Sequence, residues 1–343
     1  MPDLGACKGT SSTRRPRFRR RGRGCRFQVR MRRLGLPQRP NIIRGGPGPR
    51  AFHGEAEMTN PVKVDLGPVQ ETLLIPLLSR ARETERPNGL LRDERACEIV
   101  RRLDYDFTKW EGTRSLKGAV LRARMFDGYV EGFLSAHPEG TVVEIGCGLD
   151  TRFDRVDNGR VRWFDLDLPD TMALRRRFFE DEPRRTMVDA SVLDDAWMDA
   201  VAATGGPWMF VAEAVLIYLD APDAQRAVVN IARRFPGARI AFDTMAARAV
   251  DTQDKHDAMR HLTRASWFRW KCDDPHEIES WGANLRLAAS KTFFDADRDL
   301  VERLPLMLRL TMRYAPFLLR RQASLYRLNL ATVERNADAA SGV

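Results

Sequence analysis

The sequence predicts a doubly wound α/β fold, mostly parallel, with a late antiparallel hairpin and a helical segment ahead of it. Three observations carry this prediction. From residue 141 onward, short β-branched or aromatic runs alternate with helix-like stretches. The first of these runs, Thr141–Ile145, leads straight into Gly146-Cys147-Gly148. The next three end at or beside an acid: Asp167, Asp189 and Glu213.

The elements follow in order. Glu71 to Arg82 is a helix entry with Pro76 in or near its first turns, and Pro87-Asn88-Gly89 breaks it. Asp93 caps a helix over Glu94–Leu103. A longer helix covers Ser115–Ala136, where Leu116, Val120, Ala123, Phe126, Val130, Phe133 and Leu134 recur at steps of three and four on one face. Strands are expected at Thr141–Ile145, Val161–Leu166, Thr186–Val188, Trp208–Ala212 and Arg239–Phe242. Between the last two, Asp220 caps a helix with Pro222 in its first turn and Arg233-Arg234 in its last. Leu285–Phe294 and Leu325–Val333 are late strands that form the hairpin. The organisation is a basic tail over 1–57, a helical segment over 58–140 and a ligand-binding domain over 141–335 with an insertion around 250–285.

Composition bounds the partners. The net charge is +10, but residues 1–57 hold 15 Lys/Arg against 3 Asp/Glu, and the rest holds 42 basic against 44 acidic residues. The body therefore carries no electrostatic case for nucleic acid. The Arg-, Gly- and Pro-rich tail lacks a periodic apolar pattern and is expected to be disordered. It reads as a nucleic-acid-binding arm, as an organelle transit peptide, or, the reading we favour, as an extension ahead of a start at Met58. No apolar run reaches the length of a membrane span. Five Cys without a C-x-x-C pair suit a reducing cytoplasm and argue against a zinc site.

A strand running into Gly146-x-Gly148 lets backbone approach a ligand at the carboxyl end of a sheet. Alone it means only a nucleotide-like ligand. Glu144 stands two residues before the first Gly, and Asp167 follows Gly148 by 19 residues, near the offset of a carboxylate that binds ribose hydroxyls. Asp165 competes for that role, and Asp167 is preferred. Asp189 is placed to accept from an adenine amine. A site this rich in acceptors suits the sulfonium and amino groups of S-adenosylmethionine and repels a pyrophosphate. A nicotinamide dehydrogenase would want Gly where Thr151 stands.

The segments Glu144-Ile-Gly-Cys-Gly-Leu-Asp-Thr-Arg152, Trp163-Phe-Asp-Leu-Asp-Leu-Pro169 and Ala212-Glu-Ala-Val-Leu-Ile-Tyr-Leu219 resemble the leucine carboxyl methyltransferase family. The likeness is to its bacterial branch of polyketide O-methyltransferases of the tetracenomycin type. Val69–Leu77 and Leu90–Asp93 resemble that branch's first helices, and the likeness spans about residues 65–335. The resemblance implies a Rossmann-like class I methyltransferase fold with S-adenosylmethionine as cofactor. By position it implies that Arg122 grips the methionine carboxylate, Gly146 lines the cofactor, and Asp167 binds the ribose. It also implies Asp189 with Ala190 at the adenine, where the family has Asp-Leu, and Glu213 near the methionine part. Asp150 and Arg152 would buttress the loop, as a mutual ion pair.

Cys147 is expected to be a small packing residue, and Trp267, Trp270 and Trp281 core, though the insertion carrying them is where a substrate lid would lie. Methyl transfer from a sulfonium needs alignment more than acid–base help. A carboxylate acceptor needs no base, and no base stands out; His256, His261, His276 and Tyr218 are the candidates. The expected activity is O-methylation of a small-molecule carboxylate or phenol, polyketide-like. The alternative is an RNA-modifying methyltransferase that uses the basic tail. No catalytic or metal-binding residue is assigned.

Overall fold

A computed structural model of the chain describes residues 61–304, 306–314 and 325–335. The basic tail, and every reading made of it, lies outside the described residues. No helix among the described residues is long and apolar enough to cross a membrane.

The helical segment forms as its periodicity predicts. A 3-10 turn over Gln70–Leu73 leads into helix α1 (Leu74–Thr84). Pro76 sits in its first turn, where a missing N–H costs no helical bond. Leu74, Leu77, Leu78 and Ala81 fall on the buried face at steps of three and four. Helix α2 (Glu94–Arg102) starts at Asp93, whose carboxylate accepts from the Ala96 N–H at 2.8 Å. Helix α3 (Arg114–Ala136) buries the whole predicted stripe from Leu116 to Leu134.

The sheet has seven strands: β1 (Thr141–Ile145), β2 (Arg162–Asp167), β3 (Arg185–Asp189), β4 (Trp208–Ala212), β5 (Arg239–Met245), β6 (Leu285–Lys291) and β7 (Tyr326–Val333). Their spatial order is β3-β2-β1-β4-β5-β7-β6. The first five are parallel, and β7 runs antiparallel to both β5 and β6. This is the Rossmann-like, doubly wound sheet with a late antiparallel hairpin that the sequence predicts. Helices α4 (Arg152–Val156), α5 (Pro169–Arg175), α6 (Ala196–Ala202) and α7 (Ala221–Arg234) supply the crossovers. Successive strand residues serve opposite faces. Val142 and Met209 pack with Phe126 and Phe133 of α3, whereas Val143 and Phe210 pack with Trp197 of α6 and Val228 of α7. Both faces are dry, so the central strands read as continuous apolar runs. Strand order reverses between β1 and β4, and the crevice at their carboxyl ends is where such sheets bind ligands.

Three details differ from the sequence reading. Strand β5 runs to Met245 rather than stopping at Phe242, because β7 pairs with it along Arg239–Met245. Strand β6 stops at Lys291, three residues early, because Thr292 and Asp295 form a capping box that opens a 3-10 turn. Asp220 stands at the N-cap of α7, but its side chain makes no capping bond and faces Arg269 at 3.4 Å.

Asp93 does more than cap α2. It pairs with Arg80 Nε at 2.8 Å, accepts from Thr151 Oγ1 at 2.6 Å and is buried. Replacing it by Ala would uncap α2 and strip Arg80 of its nearest carboxylate. We expect Asp93→Ala to lose about 3–5 kcal/mol of stability in denaturant unfolding. Asp93→Asn, which keeps an acceptor for the Ala96 N–H, should lose clearly less.

Candidate cofactor and acceptor site

Three arginines and the loop after β1 make the floor of the site. Arg152, 1% exposed, donates from Nε to Asp127 of α3 at 2.9 Å and from its two terminal nitrogens to Glu144 of β1 and to Glu213 after β4. Arg155 donates to Asp127 at 2.9 Å and pairs with Asp150 at 3.0 Å. Arg80 reaches Asp150 at 3.2 Å and the Leu149 carbonyl at 2.8 Å. Burial opposes ionisation of Asp150, but Arg80, Arg155 and Arg152 overcome it and hold the carboxyl well below the usual range. The expected Asp150–Arg152 pair is present only at 4.0 Å. Arg152 is committed to three nearer acids, and Asp150 to Arg80 and Arg155. The loop is buttressed, by more partners than the sequence implied.

The glycine loop is held from its other side as well. Gly146 and Gly148 have φ of +63° and +49°, a region that L side chains rarely adopt. The Gly146 and Cys147 N–H groups donate to the Leu166 carbonyl at 2.7 and 3.2 Å. Asp167, at the end of β2, accepts from the Gly148 and Leu168 N–H groups at 2.7 Å each and pairs with no cation among the described residues. Burial pushes its carboxyl up to about 6 against the lowering effect of those two donors. Asp165 points away. It is buried between Arg175 at 2.9 Å and Arg185 at 2.7 Å.

These groups open onto one cavity of about 980 Å³. That is the upper end of the range for a single ligand site, with room for two molecules. Of the residues singled out in the sequence, Arg122, Glu144, Gly146, Gly148, Asp167, Ala190 and Glu213 line it. Asp189 is not among the lining residues. Its carboxylate is half-exposed and taken by Arg176 at 2.6 Å, so the structure does not bring it to the others. Arg122 donates from Nε to Glu213 at 2.6 Å and from Nη1 to the Tyr326 hydroxyl at 3.4 Å. Cys147 is buried with Sγ 3.7 Å from Met172 Sδ, and burial pushes its thiol well above the usual range, which makes it a poor nucleophile.

Sequence reasoning missed several members. Asp243 of β5 accepts from the Ala214 N–H at 2.8 Å and from the Tyr326 hydroxyl, and thereby fixes Ala214 at φ +55° beside Glu213. Burial pushes Asp243 up to about 6. The rule that found the other acidic strand ends also fits Asp243, the residue directly after the predicted strand Arg239–Phe242, but the sequence reading did not extend it to this strand. Tyr326, Asp127, Arg80 and Arg155 gave no comparable signal, because nothing local marks a residue whose partner is distant in sequence. The acid-rich balance fits a cationic ligand. Asp93, Asp127, Glu144, Asp150, Glu213 and Asp243 face Arg80, Arg122, Arg124, Arg152 and Arg155 in this connected network. The buried Glu144 Oε2 has no hydrogen-bond partner.

The remaining wall is apolar and comes partly from the insertion. Met245, Met259, Phe268, Phe293 and Phe294 line it, together with Tyr218, His256 and Asp257. Trp270 is core, stacked near Phe242 at 6.2 Å, and Trp267 and Trp281 do not line the cavity. His261 and His276 are exposed and also lie off it.

The leucine carboxyl methyltransferase family model matches residues 74–232. The tetracenomycin polyketide synthesis O-methyltransferase of Streptomyces glaucescens is 32% identical over 230 residues, which cover 66% of this chain and 84% of that protein. The chain belongs to the leucine carboxyl methyltransferase family. As a member it is an S-adenosylmethionine-dependent methyltransferase. An S-adenosylmethionine-dependent methyltransferase of Gibberella zeae is 29% identical over 245 residues, 65% of this chain and 82% of that one. A putative enzyme of the same description from Parafrankia is 28% identical over 228 residues, 60% of this chain and 71% of that one.

The Asp167 value sets a pH dependence. Its carboxyl is raised, so the ionised form that accepts two hydroxyl donors prevails only above about pH 6. Affinity for S-adenosylhomocysteine should fall roughly tenfold from pH 8 to pH 5 in calorimetry. Asp167→Asn should flatten that profile, and Asp167→Ala should weaken binding by about 10–100-fold at pH 8.

Proposed function

We propose that the protein methylates an oxygen of a small apolar acceptor, a carboxylate or an already ionised phenol, with polyketide-like compounds the leading class. The observation that carries this reading is the divided cavity, whose acidic strand ends give way to a wall of Met and Phe side chains. When bound, S-adenosylmethionine would supply an electrophilic methyl group, which an acceptor oxygen takes in line as the carbon–sulfur bond breaks and the neutral thioether S-adenosylhomocysteine is left. Asp167 would hold the ribose diol, and Arg122 the methionine carboxylate, where a guanidinium grips two oxygens at once. Glu144 and Glu213 would face the cofactor's cationic part. Ala190, which lines the cavity where Asp189 does not, would bound the adenine. The aliphatic and aromatic wall excludes water from the reacting atoms.

The protein's own groups supply no strong base at the acceptor. His256 Nδ1 accepts from the Ala258 and Met259 N–H groups at 3.4 and 3.3 Å. The neutral ring assigned from those contacts therefore carries its proton on Nε2, which faces Ser115 Oγ at 3.5 Å. Burial lowers the basicity of His256 further. Burial also pushes the Tyr218 phenol up to about 12, so it stays protonated and donates. An acceptor that arrives as an anion suits such a site. The oxygen acceptor has the support of the tetracenomycin relative, an O-methyltransferase of polyketide synthesis. The comparisons give the RNA alternative no support. Three cysteines described as free, Cys97, Cys147 and Cys272, support the cytoplasmic reading.

The test is methyl transfer from methyl-tritiated S-adenosylmethionine to a panel of aromatic acids and phenols. Product label should be organic-extractable. Release of volatile methanol by mild alkali marks a methyl ester, and alkali-stable label marks an aryl ether. Label on nitrogen, or none on any acceptor while S-adenosylhomocysteine still binds, would sink the oxygen assignment.

A further inference from the structure

The charges that line the cavity are segregated. At the strand ends stand Glu144, Asp150, Asp167 and Glu213, and the cations among them, Arg80 and Arg122, are paired. The first turn of α3 and the 255–259 segment contribute the opposite balance. Arg114, Lys117 and Lys255 line the cavity there, all exposed. None of the three side chains has an ion-pair, hydrogen-bond or ring partner among the described residues. Other surface arginines of this chain do find acids, as Arg298 finds Glu302 at 2.8 Å and Arg82 finds Glu111 at 2.6 Å.

The one acid on this side is already engaged. Asp257 accepts from the Arg114 and Ser115 N–H groups at 2.6 and 3.3 Å and from Ser115 Oγ. It caps α3 from another segment, since Thr113 makes no capping bond. That occupies the free amides at the helix start, so its anion affinity is taken by Asp257. The side chains of Arg114 and Lys117 are left over. The first turn of α3 holds no acid, and two cations there oppose the helix dipole, so their placement costs stability instead of adding it. Both precede Arg122 on the same helix, by about 12 and about 8 Å of axis. Apolar surface adjoins them. The Phe268 ring stands edge-on to His256 at 6.4 Å and lies 5.2 Å from Tyr218, and His256 is the residue after Lys255.

We infer that the acceptor carries an anionic group apart from the oxygen that is methylated, on a flat apolar body, and that Arg114, Lys117 and Lys255 recognise that group. The inference rests on the oxygen-methylation reading and adds the chemical class of the acceptor. The apolar body fills the Met and Phe wall, the distant anion meets the unpaired cations, and the acidic strand ends repel it from the cofactor half. Opposite charge at the two halves sorts the two ligands before any close contact forms.

The probe is a fluorescent hydroxynaphthoate with hydroxyl and carboxylate on opposite rings, compared with its neutral methyl ester. Both are titrated at low salt into protein saturated with S-adenosylhomocysteine. Three partly exposed pairs together should give the acid about a tenfold preference over the ester. In the triple variant Arg114→Gln/Lys117→Gln/Lys255→Gln the two should bind within about twofold of each other, with affinity for S-adenosylhomocysteine unchanged, because exposed substitutions of this kind leave the fold intact. Equal binding of acid and ester to the unaltered protein, a preference that survives in the triple variant, or binding of neither compound would each overturn the inference. Failure of S-adenosylhomocysteine to bind the unaltered protein would instead remove the reading beneath it.

Discussion

The placement of α3, β1 and the loop after β4 around the cofactor half of the site depends on the buried ion network around Arg152. One guanidinium, fully removed from water, holds α3 through Asp127, β1 through Glu144 and the loop after β4 through Glu213. Arg155 and Arg80 extend it to Asp150 and, through Asp93, to the start of α2. Such a network is a poor source of net stability, because desolvation offsets most of the attraction. What it supplies is position. Removing one member strands a charge in the interior, so the helices ahead of the sheet and the strand ends behave as one unit.

That constraint explains the chemistry above it. Arg80, Arg152 and Arg155 are spent on acids, and the loop Gly146–Asp150 presents its glycines to the cavity beside an Asp150 already paired with Arg80 and Arg155. Burial pushes the Glu144 carboxyl up to about 8, and Asp150 and Glu213 are the acids beside it that line the place where a sulfonium and an ammonium would sit. Asp167, bonded only to two backbone amides, keeps lone pairs for hydroxyl donors. The acceptor half is assembled by different means. Asp257 ties the insertion to α3, and aromatic side chains from the insertion and from the chain before β7 close the wall.

The motif that first pointed to the family has a structural meaning rather than a ligand-contacting one. Asp150, Thr151 and Arg152 bind other protein groups: Asp150 binds Arg80 and Arg155, Thr151 binds Asp93, and Arg152 binds three acids. Within Gly-Leu-Asp-Thr-Arg the three polar residues are thus joined to α1, α2, α3 and the strand ends. The cofactor-facing residues around it are individually ordinary acids.

The sequence by itself determined the helices, the strand order class and most of the strand ends. These rest on periodicity, capping and glycine conformation, which act within a few residues. Hence the α3 stripe, the Asp93 cap, β1 and β4 were legible to the residue, Glu144 and Asp167 could be named from position, and Arg122 only from the family resemblance. Only the tertiary structure decided which charges pair. Asp165 and Asp167 are two residues apart on one strand, so strand alternation puts both on the same face of the sheet and position alone does not separate them. One is locked between Arg175 and Arg185, while the other opens on the cavity. Asp189 lies opposite Asp167 in register, yet an arginine from the helix after β2 takes its carboxylate. Asp243, Tyr326 and the Asp257 cap depend on contacts across 83 to 204 residues of chain. No local pattern encodes such contacts, because they arise only when separate elements are packed against one another.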